Sequence, residues 1–517
     1  SFSFSNTQTA PSTMRFVNTD LVLLAALTTL GSLQAEVSLA PIFTDHAVLQ
    51  RNQPIPVWGW SDPGEKITVK FSGKTTKTVG DENGQWRVEL PALPAKSKGQ
   101  NLTAIGTNEI RLHDILIGDV WLCGGQSNME MVVRNSRDAA AEIAAADFAQ
   151  IRHIKVAKNI AADPITEMSG EWTVCSPETV GDYTAAGYFF ARRLHQDLNV
   201  PIGLLNSNWG GTPVESWLPP SVMSDPDLAV TVASHQVVIN DGILAQNITY
   251  RDNLAAWNAS KAMAAENGEA FSEIAPNMPW QPGAFKTASL LYNAMIEPVI
   301  PYALTGFIWY QGEGNANQPD TYRDMFVALI ESWREKFDAP AAPFYWAQLA
   351  SWDSGGGENL DWPLLREAQH HTLALPHTGQ AILTDIGEAF DIHPKNKQDV
   401  GDRLARIALA EHYGQDVKFR GPVHRSITFE GNQISVAFDH AEGLTTSDGE
   451  SPREFEIAGV DGVFHSANAT LSGATITLTS ESVPVPRDVR HAWHRWIEPN
   501  LQNAAGLPAE PFRTDGE

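Results

Sequence analysis

Between residues 116 and 412, short apolar runs alternate with longer amphipathic stretches, and this alternation restricts the fold more than any other feature of the chain. The short runs fall at 116–123, 151–156, 202–207, 304–310, 343–349 and 380–385, and the amphipathic ones at 183–199, 320–337, 362–375 and 397–412. Within 183–199, Tyr188, Ala191, Leu194 and Leu198 share one helical face while Arg193, Gln196 and Asp197 lie elsewhere, the spacing of a helix packed on one side. Strand, helix, strand repetition predicts an α/β fold with a parallel, doubly wound sheet. From about 219 to 285 strand signals are missing and Ala, Asn and Glu are frequent, which predicts a partly helical insertion.

On both flanks the period changes to two. "KITVKF" and "QWRVEL" alternate before residue 113, and "SITFEGNQISVAF" and "ATITLT" do so after 419, predicting antiparallel sandwich-like β regions. A chain of 517 residues exceeds what one core supports. The expected division is an N-terminal β domain at 36–113, a catalytic domain at 114–418 containing the insertion, and a C-terminal β region at 419–517. Ahead of these, Met14 and Arg15 precede an apolar run at 21–35 that ends in small residues and turns polar at Glu36. Residues 1–35 therefore read as upstream residues plus a secretory signal cleaved near Ala35, which places the mature protein in the periplasm or outside the cell.

The net charge of −25 argues against nucleic-acid or anionic-membrane partners for the mature chain, because both require clustered Lys and Arg. Two cysteines, Cys123 and Cys175, exclude a disulfide scaffold and leave a single bridge or two free thiols open. Oligomeric state is not encoded in any visible pattern. The adjacent His370 and His371 lack the i, i+4 spacing of a helical zinc site, and neither metal nor cofactor is expected.

In an open parallel sheet, ligands bind beyond the carboxyl ends of the strands. The loops there read "GGQSNM", "NSNWGGT", "YQGEGNAN" and "DIGEAFDIHPKN", and each carries a group that ester hydrolysis uses. A serine hydroxyl needs a base to take its proton, and the base needs a third group to fix its tautomer. Ser127 is the expected nucleophile, His393 the base and Asp391 the orienting carboxylate, with Asp385 or Glu388 as substitutes. Donors for the oxyanion are expected from the Ser127 N–H, a backbone N–H of Gly210 or Gly211, and the Asn315 amide. Gln126, Trp209, Gln311 and Glu313 in the same loops are the expected substrate contacts. Because Met129 stands two residues after Ser127, the GxSxG elbow does not apply; a serine after the first strand of a flavodoxin-like sheet fits better.

Together "GDVWLCGGQSNMEM", "NWGGTPVESW", "LYNAMIEPVIPYALTGFIWYQGEGNA" and "DIHPKNKQDVGDRLA" resemble the sialate O-acetylesterase family of SGNH hydrolases, and the likeness runs through nearly the whole mature chain. The resemblance implies a flavodoxin-like three-layer α/β/α SGNH domain with β accessory regions, and metal-free removal of acetyl groups from sugar hydroxyls. It carries the same roles onto Ser127, the Gly210 and Gly211 pair, Asn315, Asp391 and His393. Two positions depart from the family pattern: Gly124 and Gly314 stand where serine is usual, and Gly314 is expected to loosen the loop that aims Asn315. The expected activity is exported, acyl-enzyme deacetylation of a carbohydrate, either sialic acid or a plant cell-wall glycan such as xylan or xyloglucan. A neutral glycan is favoured because the four loops supply no clear cation except Lys395. The alternatives are a general short-chain carboxylesterase and a carbohydrate-binding protein whose hydrolytic site has decayed.

Overall fold

The computed structural model describes residues 36–276, 284–353, 355 and 360–516. The expected signal at 1–35 lies outside the described residues. Along the chain come β1 (Val48–Gln50), β2 (Ile55–Trp60), β3 (Lys66–Phe71), β4 (Lys74–Val79), β5 (Gln85–Leu90), β6 (Lys96–Ile105) and the long β7 (Glu109–Gly125). In β3 and β5 alternate side chains are buried, as the period-two pattern requires. β2 pairs antiparallel with β5 and with a short strand at Ser38–Leu39, while β3 pairs antiparallel with β4 and β6.

β7 carries the chain across position 113 without a break. Its first half pairs antiparallel with β6, and Leu116, Ile117 and Gly118 pair parallel with β1. Its second half lies between β10 (Ile202–Asn208) and β11 (Gly306–Tyr310), parallel to both. Outside β10 come β8 (Ile151–Lys155), parallel, and β9 (Trp172–Val174), antiparallel. Outside β11 come β12 (Phe344–Ala347) and β13 (Thr378–Ala381), both parallel. β1, β3, β4 and β6 are thus hydrogen-bonded with the central strands into one 11-stranded mixed sheet, while β2, β5 and Ser38–Leu39 form a separate three-stranded sheet. The strand expected at 380–385 is shorter, because Arg403 pulls the chain away after Ala381 by binding Ile382 O and both oxygens of Asp385.

Successive residues of the central strands face opposite sides, and helices cover each side. Trp121, Cys123, Leu204, Ile308 and Tyr345 pack against α2 (Ala185–Leu198) and against α6 (Lys397–Ile407). Leu122, Leu205, Phe307, Trp309 and Trp346 pack against α4 (Pro319–Lys336) and α5 (Asp361–His371). Gly124 belongs to the second face: a Cβ there would lie 2.9 Å from Trp309 Cε3 and 3.2 Å from Trp333 Cη2, so the departure to glycine makes room for two tryptophans packed edge to face. Cys123 and Cys175 are separate, buried free thiols, and burial pushes the Cys175 thiol up to about 12.

The insertion is dominated by one helix, α3 (Pro226–Asn267), capped by Asp225 Oδ1 on the N–H groups of Asp227 and Leu228 and ended by Gly268 at φ 70°. It is anchored near its start by buried Val232 and His235, while Val230, Val237, Leu244 and Met263 are exposed. After residue 419, among the described residues, come a short antiparallel pair, Thr445–Thr446 with Leu501–Gln502, and two four-stranded antiparallel sheets. One holds Val423–Glu430, Gln433–Asp439, Thr475–Thr479 and Asn468–Ser472; the other holds Phe464–Ser466, Phe455–Ala458, Asp488–His491 and Phe512–Arg513. Ile434, Val436, Phe455 and Ile457 form a core of their own.

The separation of α2 and α6 is tested at Gly401, where a Cβ would lie 2.5 Å from Phe189 Cβ and 2.5 Å from the backbone nitrogen of Phe190. Gly242 on α3 has nothing within 4 Å. Gly401→Ala should cost about 1–3 kcal/mol by overpacking, and Gly242→Ala should be neutral or stabilise by about 0.5–1 kcal/mol. Scanning calorimetry of both variants reads the difference, and equal melting temperatures would refute the close helix contact.

Candidate active site

At the carboxyl end of β7 the chain turns sharply. Gly125 takes φ 132°, and a Cβ there would lie 2.2 Å from Tyr310 O, so only glycine fits. Gln126 N–H then donates to Tyr310 O at 2.9 Å, and Ser127 opens α1 (Ser127–Glu130). Ser127 Oγ lies 2.8 Å from His393 Nε2. Asp391 Oδ1 accepts the backbone N–H of His393 at 2.9 Å and stands 3.4 Å from its Nδ1. The two alternative carboxylates are engaged elsewhere, Asp385 by Arg403 and Glu388 by the N–H of Lys395 at 2.7 Å. Asn396 caps α6 by accepting from Asp399 N–H, which leaves the His393 ring free of that duty.

Asn128, which the sequence reading passed over, ties the serine turn to the histidine loop. Its Nδ2 donates to Ile392 O at 3.0 Å and to Glu313 Oε1 at 2.5 Å, and its Oδ1 accepts from Lys397 Nζ at 2.6 Å. Lys397 is fully buried and also donates to Pro394 O at 2.7 Å. Burial pulls its amine down to about 7, against the opposing pull of Glu313. The residue Glu313 is half-buried, yet its carboxylate is enclosed, and burial raises its pKa. Three chain segments are thereby joined around one amide.

The remaining expected residues divide by orientation. A Cβ on Gly210 would lie 3.1 Å from Ser127 Cβ, so the 210–211 turn abuts the serine, but Gly210 N–H already donates to Glu130 Oε2 at 2.7 Å. Gly211 is exposed, with φ 73°. Asn315 is turned inward: its Oδ1 accepts from Val214 N–H and Gln311 Nε2, and its Nδ2 donates to Glu215 Oε2 at 3.0 Å. His235 of α3 completes this buried group, with Nδ1 3.4 Å from Glu215 Oε1. Gln126 and Gln311 are likewise internal. Gln126 Oε1 accepts from Gly314 N–H at 3.0 Å, and Gln311 Nε2 also donates to Thr212 O. Gln126, Gln311 and Glu313, expected as substrate contacts, thus each have a side chain engaged in a loop-to-loop contact.

The loop at Gly314 is pinned, contrary to the expected loosening. Its N–H is held by Gln126, and a Cβ would lie 2.6 Å from Thr212 O. Trp209 stacks on Phe285 with ring centroids 5.1 Å apart and planes 4° apart, and Lys158 Nζ sits 5.2 Å from its ring centroid. Lys158 Nζ also lies 2.6 Å from Glu130 Oε1, and Lys155 Nζ 3.9 Å from the same atom. These lysines end and follow β8, outside the four loops read from the sequence.

Known proteins agree with this architecture. Residues 265–410 match the family described as carbohydrate esterase, sialic acid-specific acetylesterase. A carbohydrate acetylesterase of known structure from Xanthomonas citri is 37% identical with a TM-score of 0.79, over 93% of this chain and 100% of that one. Rat sialate O-acetylesterase is 29% identical over 92% of this chain and 93% of its own length. The human protein is 27% identical over 88% of each. The chain belongs to the sialate O-acetylesterase family and is a carbohydrate O-acetylesterase.

Proposed function

We propose that this enzyme is an exported serine esterase of the SGNH type, which deacetylates a neutral glycan through an acetyl-enzyme intermediate. The observation that carries the reading is the 2.8 Å contact between Ser127 Oγ and His393 Nε2, the separation that proton transfer from a nucleophile to its base requires. With Nδ1 protonated towards Asp391, Nε2 is the basic nitrogen. Ser127 Oγ attacks the acetyl carbonyl carbon while Nε2 takes its proton. Collapse of the tetrahedral intermediate expels the sugar oxygen, which receives that proton from His393. Water, deprotonated by the same nitrogen, then attacks the acetyl-enzyme and releases acetate, restoring Ser127.

The oxyanion is assigned to the N–H of Ser127, a first-turn helical N–H with no partner inside its own helix, and to the 210–211 turn packed against it. Asn315 supports this arrangement from behind by holding Val214 N–H. The frame is a flavodoxin-like three-layer catalytic domain with a β region on either flank. Export rests on the apolar run ahead of Glu36. A neutral glycan is favoured because Lys158 and Lys155 face Glu130 and Lys397 is buried, which leaves few cations at the site for a substrate carboxylate.

Three outcomes test the reading. Ser127→Ala should reduce acetate release by about 10⁴-fold or more with an unchanged melting temperature; retained turnover would overturn the serine mechanism. Asn128→Ala should lower kcat by about 10²-fold with a smaller change in KM, since misplacement of base and nucleophile costs that order of rate. Steady-state kinetics separates the two parameters, and an unchanged kcat would remove Asn128 from the positioning machinery. Acetate release from O-acetylated xylan, O-acetylated xyloglucan and O-acetylated sialic acid should favour the neutral polymers. Faster release from the sialic acid would reverse the assignment, and equal rates on simple short-chain esters would indicate a general esterase.

A further inference from the structure

A cavity of about 320 Å³ lies between the three-stranded N-terminal sheet and the segments that carry Thr166, Ile300 and Pro301, far along the chain from Ser127. Its volume is at the lower end of the range of small-ligand sites. Cross-strand partners point to one side of a sheet, and the register pairs Trp60 with Gln85 and Trp58 with Arg87, while Trp86 opposes Gly59 and faces the core. Of the three tryptophans, Trp86 is buried and Trp58 is committed edge-on to Phe43, with centroids 4.8 Å apart. Trp60 is different. It is only half-buried, and among the described residues its ring stacks on no other aromatic and its indole N–H has no hydrogen-bond acceptor.

Around that ring stand groups suited to hydroxyls. Asp81 uses Oδ1 for the N–H groups of Asn83 and Gln85, each at 2.8 Å, leaving Oδ2 to accept. The amide of Gln85 and the guanidinium of Arg87 are exposed beside it, Arg87 giving Nη2 to Glu89 and retaining its other donors. An indole face with a negative quadrupole attracts the weakly positive C–H face of a pyranose. The carboxylate, amide and guanidinium then match the donors and acceptors of adjacent ring hydroxyls. A lipid tail would fill the apolar face and leave these polar groups unused.

The cavity is linked to the catalytic end by one loop. The chain that leaves β8 places Lys158 against Trp209 and Glu130, and eight residues later places Thr166 in the cavity wall. Ile165 N–H fastens this loop to Asn293 O at 3.0 Å. Eight residues span at most about 29 Å, so a single glycan chain can reach from one end of the loop to the other.

We propose that the Trp60 cavity is a glycan-binding subsite that takes a neutral pyranose of the polymer whose acetyl group is presented to Ser127. The proposal rests on the deacetylase reading above and adds a second point of contact that a small ester does not touch.

The experiment compares Trp60→Ala with the unaltered enzyme on p-nitrophenyl acetate and on O-acetylated xylan, xyloglucan and mannan, using the polymer from which the unaltered enzyme releases acetate fastest. On that polymer KM should rise about tenfold at little-changed kcat, the loss of one ring's contact, while p-nitrophenyl acetate is hydrolysed as before. An unchanged KM on the polymer overturns the subsite, as does hydrolysis of p-nitrophenyl acetate and acetylated monosaccharides with none of the polymers. No serine-dependent hydrolysis of any ester defeats the deacetylase reading itself, a separate result. Should Trp60→Ala melt at a lower temperature than the unaltered enzyme, Gln85→Ala replaces it, and the same KM increase is expected.

Discussion

The structure depends on β7 being buried on both faces. Every residue from 115 to 125 is buried, and a strand in that position loses water on both sides at once. It needs strands at both edges for its backbone and helices over both faces for its side chains. β10 and β11 supply the first, and the α2/α6 and α4/α5 pairs supply the second. Because the strands beside it are entered by connections of opposite sense, a crevice opens at its carboxyl end. Ser127 stands there, on the first residues that are no longer sheet. The same strand extends outward through 109–114 into the N-terminal sheet, so the position of that sheet relative to the crevice is set by hydrogen bonds rather than by a linker.

Behind the serine, the charge arrangement works only because its centre is an amide. Lys397 and the Glu313 carboxylate are both enclosed, and burial of an ammonium or a carboxylate without partners is costly. Asn128 offers an acceptor to the cation and donors to the anion at once. A leucine there would orphan both charges, and an aspartate would add a third. Burial draws the amine down and the acid up, the directions expected when both groups are withdrawn from water. The pair adds little certain stability, but it fixes the spacing between the proposed nucleophile and base, residues separated by 266 positions in sequence.

The strands and helices of the central sheet were legible because burial on one or two faces writes a period into the sequence, and the loops at one sheet edge could be collected from that alone. Ser127, Asp391 and His393 were legible for the same reason, each lying just beyond a strand or in a short loop. What the sequence hid is which way a polar side chain turns within such a loop. Gln126 and Gln311 were expected to face substrate and Asn315 an oxyanion, yet their amides close gaps between neighbouring loops. That choice is made by the partner across the gap, Gly314, Thr212 or Glu215, and no local pattern records it. Asn128 and Lys397 were overlooked although both lie within quoted motifs, because a lysine in a helix's first turn reads as solvated until the structure shows it enclosed. The crossing of 113 by a single strand was similarly invisible, since a period of two running into an unbroken apolar run looks like a boundary.

Glu130 raises a further electrostatic constraint. A carboxylate three residues after the proposed nucleophile, accepting from Gly210 N–H, places negative charge close to where an oxyanion would form. Alone it would oppose that charge. Lys158, 2.6 Å from its other oxygen, and Lys155 beyond it offset the carboxylate while leaving its hydrogen bond to Gly210 in place. The result is a turn whose backbone direction is fixed by an acid but whose field is not dominated by one. Lys158 also lies over the Trp209 ring, so the same cation that balances Glu130 holds the tryptophan beside the turn. Removing the lysine would therefore disturb both the electrostatics and the wall of the crevice, whereas removing Glu130 and Lys158 together would spare the first and expose the second. A double-mutant comparison separates two roles that the single substitution confounds.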